Sequence, residues 1–321
     1  MSESGAAAAI RAVLLSAAFL AAASFARAAD APPKAPAVSP EVKAAMTKAE
    51  GGDTGELVKL ADAGAADAQY YAGTLFLFGR PGVARDAACG CGYEQKASAT
   101  RGDAMHLVGQ CYQFGLGGDA DAAKAKAAYQ RAIDMGFFQS KCVLGQMLLA
   151  EGKPAADRGL TLCKEAATAG DAEAQTLVGD IYFRGDAVKG DHKEARRWYE
   201  MAAAQKQAQA SLKLGEMYAK GDGGRSDKKK AVELWKAAEA AGNPLACILV
   251  ADQLFSDITG GRTPGPGKFG FRGGIPVADI DVIIDWYKEA LKRDPRPDVQ
   301  ERAKTGISVL ETFKAAAAAT R

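Results

Sequence analysis

The chain of 321 residues carries a formal net charge of +2 at pH 7, and 25% of its residues are charged. This near balance gives no strong field for collecting nucleic acid, so we expect no nucleic-acid partner. The hydrophobic share of 48% includes many alanines, which favour helices and let packed helices approach closely.

The first 28 residues have the features of a secretory signal peptide. Arg11 precedes an apolar run over residues 12–23, and Ala26-Arg27-Ala28 supplies a small-x-small cleavage site. A membrane anchor is the alternative, but the run falls short of the roughly 20 residues that span a bilayer. We therefore predict cleavage after Ala28, a periplasmic location and no membrane insertion of the mature chain. Residues 29–40 are rich in proline and alanine and predict a disordered leader.

Glycines recur on one register through the middle of the chain. The successive steps are 36, 36, 34 and 36 residues, and a further step of 36 reaches an alanine. A fixed period in the thirties is typical of a stacked repeat array. The register positions are Gly73, Gly109, Gly145, Gly179, Gly215 and Ala251.

The residues around each register glycine predict a helical hairpin. Small or apolar residues recur five places and one place before the glycine and two and three places after it, which puts them on one helix face. A second glycine follows the first helix at most copies and is typical of a left-handed helix cap. The second helix shows an acidic start and then an aromatic residue flanked by alanines, as in residues 191–203 and 227–242.

This pattern resembles the Sel-one-like repeat family, a relative of tetratricopeptide repeats. The clearest copies cover residues 174–185 with 191–203 and residues 210–221 with 227–242. The resemblance implies an all-α fold, an α-α superhelix formed as a right-handed solenoid of about six helix-turn-helix repeats. It places the repeats at 67–294, with an insertion at 256–276, between an N-terminal helical cap at 41–66 and a C-terminal capping helix at 295–321.

The resemblance also implies a non-catalytic adaptor that holds other proteins together, often in signalling or envelope assembly. By helical phase, we expect the face opposite the shared one to line a concave groove for an extended or helical peptide. Its carboxylates would face basic residues of the partner. The alternative is that its apolar members pack on the next hairpin and its acids are solvated. The predicted groove residues are Tyr70, His106, Gln110, Gln146, Asp180, Phe183, Glu216, Asp252 and Phe255, and the same phase also places Cys142, Thr176, Leu212 and Ile248 on this face.

The insertion at 256–276 combines glycine and proline with cations and aromatic residues. Such a loop suits contact with a partner or an anionic polymer, and the alternative is an excursion without a role. Its candidate contact residues are Arg262, Lys268, Phe269, Phe271 and Arg272.

Six cysteines in an exported chain raise the question of disulfides. Helices that run antiparallel about Gly102 would bring Cys89 or Cys91 near Cys111. Cys142 and Cys163 are equidistant from the turn near Gly152, although Cys142 has the wrong phase for pairing. The candidate disulfide residues are therefore Cys91, Cys111, Cys142 and Cys163, and the alternative is that they are small buried apolar residues.

The sequence gives little support for a catalytic site. Ser226 with Lys229 and the run Lys304-Thr305-Gly306 match penicillin-recognition motifs in letters, but the first lies in a turn and the second within a predicted helix. His106 and His192 fall on different repeats, and Cys89 with Cys91 supplies too few thiolates for a zinc site. We expect no enzyme, no metal and no cofactor. A penicillin-binding or hydrolase-like enzyme and a self-associating structural module remain the alternatives to a peptide-binding scaffold, with partner and oligomeric state open.

Overall fold

The computed structural model describes residues 38–185, 188–260 and 277–319. Within these ranges the chain forms fifteen helices, and its β-structure is a single isolated bridge between Arg80 and Val83. The predicted all-α class is therefore confirmed. The signal peptide at 1–28, nearly all of the leader at 29–40 and residues 261–276 of the insertion lie outside the described residues.

The helices fall into two units that divide between Ala169 and Gly170. The first unit contains α1 Pro40–Glu50, α2 Gly55–Asp62, α3 Ala66–Phe78, α4 Ala87–Ala97, α5 Gly102–Phe114, α6 Ala122–Asp134, α7 Ser140–Leu149 and α8 Ala155–Thr168. The second contains α9 Ala172–Arg184, α10 His192–Ala204, α11 Ala208–Lys220, α12 Lys228–Ala240, α13 Leu245–Thr259, α14 Val277–Arg293 and α15 Pro297–Ala319.

Within each unit, every helix packs against the next one along the chain. The helices pair into hairpins α3–α4, α5–α6 and α7–α8 in the first unit and α9–α10, α11–α12 and α13–α14 in the second. Helices α1 and α2 precede the first hairpin, where the N-terminal cap is predicted, and α15 follows the last. None of the described helices combines the length and the apolar character that a bilayer crossing requires.

Capping residues set the ends of the hairpin helices. The carboxylates of Asp86, Asp121, Asp191 and Asp227 each accept a backbone N–H three residues later, at 2.9 to 3.1 Å. These bonds satisfy donors that the first turn of a helix leaves without partners. At the other end, α5, α9 and α11 stop at left-handed glycines, Gly115, Gly185 and Gly221, as the second glycine of the repeat predicts.

The register glycines mark where the two helices of a hairpin cross. A Cβ atom on Gly109 would lie 2.6 Å from the Tyr129 ring, and one on Gly179 would lie 2.7 Å from the Tyr199 ring. In the next hairpin, a Cβ on Gly215 would meet Trp235 at 2.5 Å. In these three hairpins the aromatic residue of the second helix therefore occupies the space that the missing side chain leaves.

The shared face is buried as predicted, but the opposite face is not the open lining that we expected. Cys142 and Thr176 are each 7% exposed, Leu212 is 3% exposed and Ile248 is fully buried. Leu212 packs with residues of α12 and α13, and Ile248 packs with residues of α14 and α15. The prediction is wrong here because a first helix is covered both by its own hairpin partner and by a neighbouring helix.

Two disulfides join successive helices of the first unit. Cys91 of α4 pairs with Cys111 of α5, with Cα atoms 6.1 Å apart, so Cys91 and not Cys89 is the partner. Cys142 of α7 pairs with Cys163 of α8, with Cα atoms 4.1 Å apart, so the phase objection to Cys142 is wrong. Cys89 is a half-buried free thiol and Cys247 a buried one.

Replacing a register glycine should destabilise the protein, whereas replacing an open helical glycine should not. We expect Gly109→Ala to lower the free energy of unfolding by about 1–3 kcal/mol, because the new methyl group overlaps Tyr129. Gly92→Ala within α4 meets nothing within 4 Å and should raise it by about 0.5–1 kcal/mol. Urea unfolding measures both, and equal effects would contradict the crossing role of Gly109.

Removing the Cys91–Cys111 disulfide should weaken the first unit. The bond closes a loop with a sequence separation of 20, so the double variant Cys91→Ser with Cys111→Ser should lose about 3 kcal/mol. Thermal unfolding without and with a reductant makes the comparison. Cys89→Ser is the matched control and should unfold like the unmodified chain, since Cys89 forms no disulfide.

Candidate functional site

The predicted groove residues of the first unit differ in their accessibility. Gln146 is exposed, whereas Tyr70, His106 and Gln110 are half-buried. The His106 ring lies 5.3 Å from the Tyr129 ring and 5.2 Å from the Phe137 ring, between centroids.

Both ring nitrogens of His106 have polar neighbours. Nδ1 lies 2.9 Å from the Ser140 hydroxyl, and Nε2 lies 3.1 Å from the Gln110 amide nitrogen. Burial lowers the pKa of His106 to about 4, so the ring is neutral at pH 7. His106 therefore links α5 to α7 through neutral hydrogen bonds.

A buried carboxyl group occupies the crossing point of the first hairpin. Glu94 is 0% exposed and lies directly over Gly73, where the hairpins α5–α6, α9–α10 and α11–α12 place an aromatic ring. Its Oε1 accepts a hydrogen bond from the Thr74 hydroxyl at 3.1 Å, and its Oε2 has no hydrogen-bond partner. Burial raises the pKa of Glu94 well above its ordinary value because the charged form is poorly solvated.

Charged neighbours of Glu94 form their own network. The Arg101 guanidinium donates to Asp103 at 3.0 and 2.6 Å and also bonds to Asp67. It stacks over the Tyr70 ring, 4.3 Å from the centroid. Arg101 is 8% exposed, so this pairing of a buried cation holds α3 to the start of α5.

The sequence contains a signal for Glu94 that counting from the register glycine missed. Counting twenty residues on from Gly73 reaches Tyr93, but the loop between Gly79 and Asp86 is one residue longer than its counterparts. Counted from the capping aspartate, the crossing residue is eight places on in each case, from Asp121 to Tyr129 and from Asp86 to Glu94. Tyr93 instead donates its hydroxyl to Asp62 at 2.9 Å.

In the second unit, two of the three predicted groove acids are already paired. Asp180 accepts Lys213 Nζ at 2.6 Å and also the Tyr199 hydroxyl. Asp252 accepts the Tyr287 hydroxyl at 2.8 Å and bonds to Arg302. These acids hold neighbouring helices together, so sequence reasoning found their positions but missed their partners. The third acid, Glu216, is half-buried and makes no ion pair with a described residue.

A surface cavity of about 240 Å³ collects several of these residues. It lies on the helices α9, α10 and α11 and mixes charged side chains of both signs with apolar ones. Its lining residues are Asp180, Phe183, Arg184, Tyr199, Lys213, Glu216, Met217, Lys220 and Asp222.

The mouth of this cavity carries an exposed aromatic pair. Phe183 is 36% exposed and stacks on His192, with ring centroids 4.8 Å apart. Asp222 lies 3.9 Å from the His192 Nδ1 atom, and the His192 side chain is 46% exposed, as expected for a solvated residue at a helix start. An exposed ring beside charged groups offers both apolar contact and hydrogen bonds to a ligand.

The remaining predicted site residues lie elsewhere. Phe255 is half-buried and packs on the core of α13, α14 and α15, so it is not part of the cavity. Arg262, Lys268, Phe269, Phe271 and Arg272 lie outside the described residues.

Catalytic and metal-binding arrangements find no geometric support in the described ranges. No group of three or more His, Cys, Asp or Glu residues there is arranged to hold a metal ion. The Ser226 hydroxyl donates to the Ala219 carbonyl in the turn before α12, and Lys304 to Gly306 lie inside α15. Both placements are those that the sequence predicts, the first in a turn and the second within a helix.

Four stretches of the described hairpins match a known repeat family. The family model described as Sel1 repeat matches residues 66–88, 102–137, 172–206 and 208–243. A Sel1 repeat protein from Oxalobacter formigenes has a similar fold, with a TM-score of 0.60 and 22% identity, over 81% of this chain and 100% of that one. A protective antigen of uropathogenic Escherichia coli with an SLR fold gives a TM-score of 0.57 and 21% identity, over 86% of this chain and 60% of that one.

A sequence relative is an uncharacterised protein of Neisseria meningitidis serogroup B. It is 28% identical over 111 residues, which are 35% of this chain and 23% of that protein. The matched stretch thus spans under a quarter of the relative.

Ionisation of Glu94 should lower the stability of the protein as the pH rises. Its pKa is about 4.5 when unperturbed and is raised in the folded state, so its stabilising effect is complete below pH 4.5 and is lost as the pH rises towards the folded value. We expect Glu94→Gln to remove this loss. Unfolding free energies across a pH series measure it, with the exposed Glu56→Gln as a control. An unchanged pH dependence in Glu94→Gln would contradict the raised pKa.

Proposed function

Because four stretches of this chain match the Sel1 repeat model, we propose that it is an exported, non-catalytic scaffold that seats a segment of a protein partner in the cavity on α9, α10 and α11. Sel1 repeat proteins generally serve as protein-interaction scaffolds. The observation that carries the proposal is the exposed Phe183 ring at the mouth of a cavity with charged walls. A cavity of this size accepts one large side chain of a partner, which is how an anchor residue contributes most binding energy.

The walls of the cavity favour a segment with both apolar and polar groups. Phe183 provides apolar contact, whereas neither Glu216 nor Lys220, one turn apart on α11, forms an ion pair with a described residue. Both side chains are therefore available to a partner. Asp180 is not, because it already accepts Lys213 and Tyr199.

Two features support a location of this protein outside the cytoplasm. The predicted signal peptide at 1–28 directs the chain to export. The disulfides Cys91–Cys111 and Cys142–Cys163 persist in oxidising compartments such as the periplasm. A role in envelope signalling or assembly is consistent with this location.

Loss of the cavity anchor should release the partner without unfolding the scaffold. Tagged full-length protein is expressed in its own cells, crosslinked and purified, and the captured proteins are identified by mass spectrometry. We expect Phe183→Ala to lose one captured protein, and the affinity of the purified variant for that protein to fall about tenfold or more.

The control is Val282→Ala, which removes another exposed apolar side chain, 50% exposed on α14. It should retain the partner, and circular dichroism should show all variants folded. Reversing Asp180 or Asp252 would not be a clean test, because each holds a cation within the protein. If Phe183→Ala captures every protein as well as Val282→Ala does, the cavity is not the binding site.

A further inference from the structure

Two consecutive hairpins of the second unit repeat basic residues at the same register positions. Five, ten and fourteen places after Gly179 and after Gly215 the chain carries a lysine or an arginine. These six residues, here called the basic ladder, are Arg184, Lys189, Lys193, Lys220, Arg225 and Lys229.

The earlier hairpins lack this pattern. In the hairpin α5–α6, the equivalent positions hold Phe114, Asp119 and Ala123. The repeat consensus therefore does not require these cations for folding, because α5 and α6 form the same kind of hairpin without them.

The structure brings the ladder to one edge of the two hairpins. All six ladder residues are exposed, and they lie where α9 and α11 end and α10 and α12 begin. The loop before α12 packs against α10, because a Cβ on Gly224 would lie 2.5 Å from Nη1 of Arg196. Arg184 and Lys220 also line the cavity, so the ladder and the cavity form one continuous surface.

Four of the six ladder cations are not neutralised by another described residue. Lys193, Lys220, Arg225 and Lys229 make no ion pair with a described residue. Residues 184–230 contain twelve Lys or Arg and seven Asp or Glu, a net charge of +5 against +2 for the whole chain. The rest of the chain therefore carries a net charge of −3, so the positive excess lies in this stretch.

We propose that the basic ladder and the adjoining cavity together bind an acidic segment of a protein partner that carries one large apolar side chain. This inference rests on the proposed scaffold function and names the chemistry of the partner. The carboxylates of the segment pair with the ladder cations, and its apolar side chain enters the cavity beside Phe183 and Met217.

A protein segment fits this surface better than a polyphosphate does. Asp191, Asp222 and Asp227 lie among the ladder cations at the same edge and repel a uniformly dense anion such as nucleic acid. The separate carboxylates of a peptide can pair with the ladder cations without approaching these three aspartates. The cavity also offers an apolar contact that a sugar-phosphate backbone does not use.

The binding test uses the full exported chain and a short fluorescein-labelled peptide of Asp and Glu around one central Phe. The ladder variant combines Lys193→Ser, Arg225→Ser and Lys229→Ser, none of which removes an ion pair. The control variant combines Lys59→Ser, Lys292→Ser and Lys304→Ser, which removes the same charge from exposed positions elsewhere. Fluorescence anisotropy measures each Kd at low and at physiological salt.

We expect the ladder variant to bind the peptide about tenfold more weakly and the control variant to bind it as the unmodified chain does. Binding should weaken with salt, and a peptide with Asn and Gln in place of the acids should bind poorly. Equal affinity of the ladder and control variants, or no binding of the acidic peptide by the unmodified chain, would overturn the inference. So would binding of duplex DNA or phosphatidylglycerol vesicles as tightly as the peptide.

The same variants separate this inference from the proposed function. If Phe183→Ala loses a captured protein that the ladder variant retains, the scaffold function stands and the acidic partner does not. If both variants lose it, both stand. If only the ladder variant loses it, the ladder binds the partner and the cavity does not.

Discussion

The fold depends on how closely the two helices of a hairpin can cross. A glycine in the first helix leaves a gap, and the residue opposite it in the second helix fills that gap, as Tyr129 does over Gly109 and Trp235 over Gly215. Any side chain at the glycine would push the helices apart. Because each hairpin also packs against its neighbour, a shift at one crossing would be passed along the unit.

The two units differ in what reinforces their packing. In the first hairpin of the first unit Glu94 takes the place of the aromatic ring, and disulfides join α4 to α5 and α7 to α8. In this unit the buried guanidinium of Arg101 is paired with the carboxylates of Asp67 and Asp103. The second unit has aromatic crossings at Tyr199 and Trp235 and keeps exposed charges at its loop edge. Covalent reinforcement thus lies in one unit and the exposed basic surface in the other.

Some features of this protein could be predicted from the sequence because they depend on local periodicity. The glycine register, the buried face beside it and the capping residues are all set within one or two turns of a helix, so residue spacing determines them. The basic ladder is also readable in this way, since its residues recur at fixed distances from Gly179 and Gly215. Spacing likewise brought Cys91 and Cys111 together as candidates.

Tertiary structure determined which residues are buried or paired by a neighbour outside their own hairpin. Helical phase alone made Leu212 and Ile248 groove residues, but the adjacent helices bury them. It made Asp180 and Asp252 free acids, whereas Lys213 and Arg302 from later helices neutralise them. Glu94 reached the crossing point through one extra loop residue. A single sequence determines which face of a helix is apolar, but packing between helices determines how many faces are covered and which charges remain free.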